Sequence, residues 1–231
     1  MTLPKVKTPS DLTSEERREF FEKRGSPDTT PFKEKPGYKY LLQSEDIKSW
    51  VETQTLPIFL DIGAGMGRFL MAESEKHPDR SYVGIDPDYQ CVKKNITKLD
   101  NRERRDVALK NCRFFYGSVY HFFEQLEPKS IDLAYVNYPD PWFKKRHIKR
   151  RLVTEKFFNT IHPLLKDHSK VFVQTDIDDY ADFILDEFEN LKGFDINLKA
   201  IDQFEDLAGT LYQEKAVTKD HNRHCFLLQK Q

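Results

Sequence analysis

Residues 58–67 read IFLDIGAGMG, and this stretch decides the fold. Ile58–Ile62 is an apolar run of strand length, interrupted only by Asp61. Gly63 and Gly65 allow a tight turn, and Gly67 allows the backbone to approach a neighbour closely. Residues 68–76 then have the composition of a helix. A strand that turns through glycines into a helix is the opening unit of a doubly wound α/β sheet. Its turn lies at the carboxyl edge, where such sheets bind ligands. The spacing is G-x-G-x-G, not the G-x-G-x-x-G that cradles a dinucleotide pyrophosphate. Asp61 beside the turn would repel a phosphate and attract a cationic amino-acid group.

Outward from this unit the pattern repeats. Residues 82–85, 112–116, 131–136 and 171–175 are brief runs rich in Val, Ile, Phe and Tyr, separated by segments of helical length. Residues 194–201 and 225–229 complete seven predicted strands. The alternation predicts βαβ units. The fold expected over residues 41–231 is therefore a Rossmann-like α/β domain: a seven-stranded, mostly parallel sheet with helices on both faces. Residues 176–189 are strongly acidic and carry Ala181, Ile184, Leu185 and Phe188 at helical spacing, which reads as an amphipathic helix with a solvated acidic face. Residues 1–40 are polar and Pro-rich. Thr13-x-x-Glu16 opens a short helix there, and the remainder is an arm, either unstructured or laid on a substrate through Lys33, Lys35 and Lys39.

At 38% hydrophobic residues in 231 the chain can build a substantial core. Its net charge is −1, so any nucleic-acid binding must come from local segregation of charge. Cys91, Cys112 and Cys225 are scattered and odd in number, which argues against a disulfide framework and against a metal site. Cys112 and Cys225 sit in apolar stretches, as small core residues do. No secretory signal and no run of ~20 apolar residues is present. A cytoplasmic protein with no metal and no membrane segment is expected.

The second predicted strand ends in Val83-Gly-Ile-Asp86, about twenty residues beyond the glycine turn, where an acidic residue can accept both hydroxyls of a ribose. A ligand with a ribose, no phosphate and a cationic amino acid is S-adenosylmethionine. Gly117-Ser118 follows the third strand. The Ser118 hydroxyl either reaches the adenine or closes a simple turn.

The fourth strand delivers residues 137–151, NYPDPWFKKRHIKRR, to the same edge. Pro139 and Pro141 restrict themselves and the residues before them, so Asp140 has little backbone freedom. That aims one carboxylate. Trp142 is either a flat face for a base or a core residue. The cationic block that follows holds no acidic residue and suits phosphates.

Pro139-Asp-Pro-Trp-x-Lys-x-Arg-His-x-Lys-Arg-Arg151 resembles the signature of the tRNA (guanine-N7)-methyltransferases, class I S-adenosylmethionine-dependent enzymes that act on the guanine at position 46 of the tRNA variable loop. The resemblance extends to Val173-Gln-Thr-Asp176 and Thr210-Leu-Tyr-Gln213, and covers residues 55–230. It implies a donor held at positions matching Asp61, Asp86, Ser118 and Asp140, beside Gly63, Gly65 and Gly67. It implies substrate contacts at Lys144, Asp176, Thr210, Leu211, Tyr212 and Gln213. The charge that methylation puts on the purine calls for a nearby carboxylate, and Asp140 is the expected catalytic residue, with Asp176 as the second candidate or a substrate orienter. Lys145, Arg146, Lys149, Arg150 and Arg151 would grip tRNA phosphates, in a monomer or a homodimer. The family often has Glu where this chain has Asp61, an acid where it has Ser118, and Glu where it has Gln213.

Guanine N7 has a free lone pair and no proton, so its methylation needs no general base and rests on positioning and electrostatics. Three rival readings exist. An adenine amino methyltransferase also places a Pro-containing corner after the fourth strand, but lacks this basic block. A non-catalytic RNA-binding module would have no use for the glycine turn, Asp86 and Asp140 together. A nicotinamide dehydrogenase conflicts with the turn spacing and Asp61.

Overall fold

The computed structural model describes residues 40–42, 44–198 and 223–231. Among them the sheet has eight strands: β1 (Leu41–Leu42), β2 (Ile58–Ile62), β3 (Ser81–Asp86), β4 (Cys112–Tyr116), β5 (Ile131–Asn137), β6 (Leu165–Thr175), β7 (Phe194–Asn197) and β8 (His224–Lys230). Their order is β1-β4-β3-β2-β5-β6-β8-β7. The neighbours from β1 to β6 pair parallel, and β8 runs antiparallel to both β6 and β7. From β2 the chain winds outward to β3 and β4, where it meets β1 at the edge, then returns to β5 on the other side of β2. The reversal between β2 and β5 opens a crevice at the carboxyl edge.

Side chains alternate along each strand. Leu60, Ile62, Val83, Ile85, Ala134 and Val136 face one core with α1 (Ser44–Thr53), α4 (Val119–Phe123), α5 (Glu155–Ile161) and α6 (Asp178–Phe188). On the other face Tyr82 and Phe114 pack with Leu70 and Met71 of α2 (Arg68–Lys76) and with Val92, Ile96 and Leu99 of α3 (Tyr89–Glu103). Strands buried on both faces are apolar along most of their length, as parallel sheets require. Cys112 and Cys225 are core residues.

The eighth strand corrects the expected seven. Leu41–Leu42 pairs with Phe114 and Phe115 at the sheet edge, and two residues are too few to show any periodicity. β6 begins at Leu165, not Val171: its pairing with β5 passes from Leu165 to Lys170 across an irregularity in which Lys166, Asp167 and His168 are exposed, a stretch without strand-like composition. The acidic helix buries Tyr180, Ala181, Ile184 and Phe188, whereas Leu185 is exposed. The predicted strand at 194–201 is a strand as far as Asn197, and its residues 199–201 lie outside the described set. Residues 1–39 also lie outside it, including the predicted helix and arm. No helix among the described residues is long and apolar enough to cross a membrane.

Gly67 shows why the turn needs glycine. Its φ is +65°, and an added Cβ would lie 2.8 Å from Phe114 Cζ and 2.9 Å from Asn95 Cγ. Gly67→Ala is expected to cost about 1–3 kcal/mol through backbone strain and this overlap. A thermal unfolding curve superimposable on that of the parent protein would refute it.

Candidate active site

The crevice between β2 and β5 opens into a cavity of ≈ 730 Å³. Asp61, near the end of β2, is 2% exposed. Burial pushes its carboxyl up from 3.8 to about 7; the Asn137 hydrogen bond opposes this, and the nearby Asp86 charge adds to it. Asn137 Nδ2 donates to Asp61 Oδ1 at 3.4 Å. Behind it, Gln174 Nε2 donates to Asn137 Oδ1 at 2.7 Å. A buried carboxylate that faces a cavity and has no adjacent cation among the described residues is set up to receive one.

The glycine turn packs over the carboxyl end of β3. Gly63 and Ala64 amides donate to the Ile85 carbonyl, and the Gly67 amide donates to the Ala64 carbonyl. Asp86 Oδ2 accepts from the Gly65 amide at 2.7 Å, and its Oδ1 accepts from the Asp88 amide at the same distance. Burial raises the pKa of Asp86 while these two amides oppose the rise. From α3, Asn95 Nδ2 holds the Gly65 carbonyl and Lys98 Nζ holds that of Met66. Asp86 thus shapes the turn as well as lining the cavity. Ser118 lines it too, and its hydroxyl accepts the Tyr120 amide as the N-cap of α4.

After β5 the chain makes its corner. Tyr138 and Trp142 both adopt left-handed backbone conformations, with φ of +51° and +45°. Such strain in bulky residues collects where a site is being shaped. Asp140 is exposed and lines the cavity. Trp142 lines it as well, with the Arg150 guanidinium 5.1 Å above its ring and His147 against its edge. Trp142 is therefore a cavity wall and not a core residue.

The basic block forms a 3-10 helix, Lys145–Arg150. Lys144, Arg146, Lys149 and Arg150 are exposed, and the side chain of Lys145 lies outside the described set. A second cavity of ≈ 560 Å³ adjoins the first, sharing Tyr120, Arg150 and Leu152 with it, and adds Lys149 and Lys156. Arg151 also lines this second cavity, but its guanidinium is engaged by the protein. Its Nε donates to the Pro141 carbonyl at 2.8 Å, and its guanidinium lies 4.4 Å from the Phe183 ring centroid and 5.0 Å from that of Tyr180. It clasps the corner to α6. Arg151→Ala is expected to cost about 1–3 kcal/mol of stability, and Arg150→Ala to stay within about 0.5 kcal/mol. Denaturant titrations giving equal losses would contradict this division.

Asp176 follows β6 at the same sheet edge, half-buried and outside the residues that line the cavity. Thr210, Leu211, Tyr212 and Gln213 lie outside the described residues. Sequence reading gave no role to Asn137, Gln174, Asn95 or Lys98. Asn137 carried a signal, as the residue joining the fourth strand to the corner. The other three act across the fold and had none. Among the described residues no cluster of His, Cys, Asp and Glu could hold a metal ion.

Residues 55–226 match the Methyltransf_4 model of methyltransferases. A tRNA (guanine-N(7)-)-methyltransferase of Syntrophotalea carbinolica is 33% identical over 165 residues, 69% of each chain. One of Streptococcus mutans is 31% identical over 189 residues, 78% of this chain and 85% of its own. This chain belongs to the tRNA (guanine-N7)-methyltransferase family. Membership makes it a methyltransferase, and the matched residues include the corner with its basic block. The solved aminoglycoside resistance methyltransferase NpmB1 superposes with a TM-score of 0.56 at 19% identity, covering 82% of this chain and 94% of its own. The 16S rRNA methyltransferase KamB does so with a TM-score of 0.54 at 14% identity, covering 80% and 90%. At these identities the likeness concerns the Rossmann-like methyltransferase fold alone.

Proposed function

We propose that the protein transfers the methyl group of S-adenosylmethionine to N7 of the guanine at position 46 in the tRNA variable loop, acting in the cytoplasm. The observation that carries this reading is one cavity lined at once by Asp61, the glycine turn, Asp86, Asp140 and Trp142, with the cationic 3-10 helix at its rim. The residues fit the donor. Gly63 at φ +82° leaves open space where a Cβ would stand. Asp61 faces the cavity as a buried acid with no adjacent cation among the described residues to satisfy it. Asp61 would hold the amino group and Asp86 the ribose, with Ser118 near the adenine. The donor, when bound, supplies an electrophilic methyl on a sulfonium.

The remaining work falls to the chain. Asp140 would accept hydrogen bonds from guanine N1 and N2, which orients N7, and its charge would stabilise the positive charge that grows on the purine. Trp142 would wall the base. Lys144, Lys145, Arg146, Lys149 and Arg150 would contact phosphates and position the RNA without reading its sequence. Arg151 would hold the corner. Asp176 and Thr210–Gln213 would add substrate contacts. The test is methyl transfer to unmodified tRNA, followed by digestion to nucleosides and mapping of the modified base. 7-Methylguanosine at position 46 is the expected product. Methylated adenosine, or no transfer, would overturn the reading.

A further inference from the structure

Gln174 belongs to β6 and is 2% exposed. It is the register partner of Asn137 on β5. Its Nε2 donates to Asn137 Oδ1, and its own Oε1 has no hydrogen-bond partner among the described residues. This is the one hydrogen bond of the Gln174 side-chain amide among the described residues, and it engages the oxygen side of the Asn137 amide. An asparagine amide has nearly the same shape when turned over, but the chemistry it presents is reversed. With Oδ1 engaged by Gln174, Nδ2 points at Asp61. Turned over, Asn137 would set a carbonyl oxygen against that carboxylate.

We infer that Gln174 is a positioning residue for the donor's amino-acid end: by locking the Asn137 amide across three adjacent strands, it presents Asp61 as a carboxylate to the cavity. The inference rests on the proposal that S-adenosylmethionine is the donor. The groups around Asp61 leave Asn137 the deciding role. Asp86 on β3 disfavours its charge, as burial does, and Asn137 is the group that favours it. Cys112 on β4 and Tyr135 on β5 feel the Asp61 charge and supply no cation.

Two ligands separate this role from simple support of the fold. S-adenosylhomocysteine carries the amino-acid end, and 5′-methylthioadenosine lacks it while keeping the adenosine. Calorimetric titration would compare both on the wild type, Gln174→Met and Gln174→Glu. Gln174→Met removes the donor at similar volume and should weaken S-adenosylhomocysteine about tenfold, the loss typical of a hydrogen bond to a charged group. Gln174→Glu should weaken it further, because its carboxylate accepts Asn137 Nδ2 and turns the amide over. Affinity for 5′-methylthioadenosine should stay within about twofold of wild type, given that well-separated contacts act independently; its binding also reports an intact fold. Should Gln174→Met fail to fold, Gln174→Glu carries the same comparison. Equal losses for both ligands, or an unchanged affinity for S-adenosylhomocysteine, would overturn the inference. A wild type that binds neither would instead overturn the donor reading on which it rests.

Discussion

Asp61→Asn is expected to yield a protein that is more stable without ligand and unable to bind the donor. Burial holds the Asp61 carboxyl at about 7, against an ordinary 3.8. The folded state thus binds this proton more tightly than the unfolded state does, and ionising the group in the folded protein is costly. Stability is lost as pH rises from 3.8 through 7, the full deficit is present above 7, and none remains below 3.8. Its size is on the order of 4 kcal/mol. Asparagine removes the charge and still accepts the Asn137 Nδ2 hydrogen bond. At pH 8 the ligand-free variant should melt roughly 5 °C above the parent, given about 2–4 °C per kcal/mol for a chain of this size and partial recovery of the deficit. The gap should narrow as pH falls toward 5, where the parent is itself protonated. The variant should lose S-adenosylmethionine binding by a factor of about 100, the effect of removing the carboxylate partner from a buried cation. Equal melting temperatures at pH 8 would show that Asp61 is not strained by burial.

Asp140→Asn should separate binding from turnover. Asp140 is exposed and makes no hydrogen bond within the described residues. Its direction comes from Pro139 and Pro141 and from Arg151, which holds the Pro141 carbonyl. Asparagine fits this frame without strain, so cofactor and tRNA affinities should stay within a few-fold. Turnover should fall about 100-fold or more, because a negative charge aimed at developing positive charge is lost from the transition state. Single-turnover methylation near the parent rate would remove Asp140 from the chemistry.

The sheet and its ligand edge were legible from local patterns. Ile58–Ile62, the three glycines and Asp86 form consecutive strand–turn–helix units whose signals lie within a few residues of one another. The corner at Asp140 was legible for the same reason, since two prolines fix backbone without help from the rest of the fold. What escaped depends on distance along the chain. Gln174 meets Asn137, and Asn137 meets Asp61, only because β6, β5 and β2 are neighbours in the sheet. Arg151 was read as one more cation of a phosphate-binding run. It folds back onto Pro141 and α6, a distinction that charge composition does not carry. Leu185 fits the apolar spacing of its helix yet sits at the margin of the buried face, while Tyr180 fills the core with its ring.

The hydrogen bonds inside the glycine turn bear on how readily such a site could change its ligand class. A phosphate-cradling loop offers unpaired backbone N–H groups to the anion. Here the amides of Gly63, Ala64, Gly65 and Gly67 are all committed to protein oxygens. Neutralising Asp61 would remove the charge that repels a pyrophosphate and would leave the anion almost no donors to meet. Conversion to a nicotinamide-dinucleotide site would require the turn to be rebuilt, so the two ligand classes are separated by backbone geometry and not by one side chain.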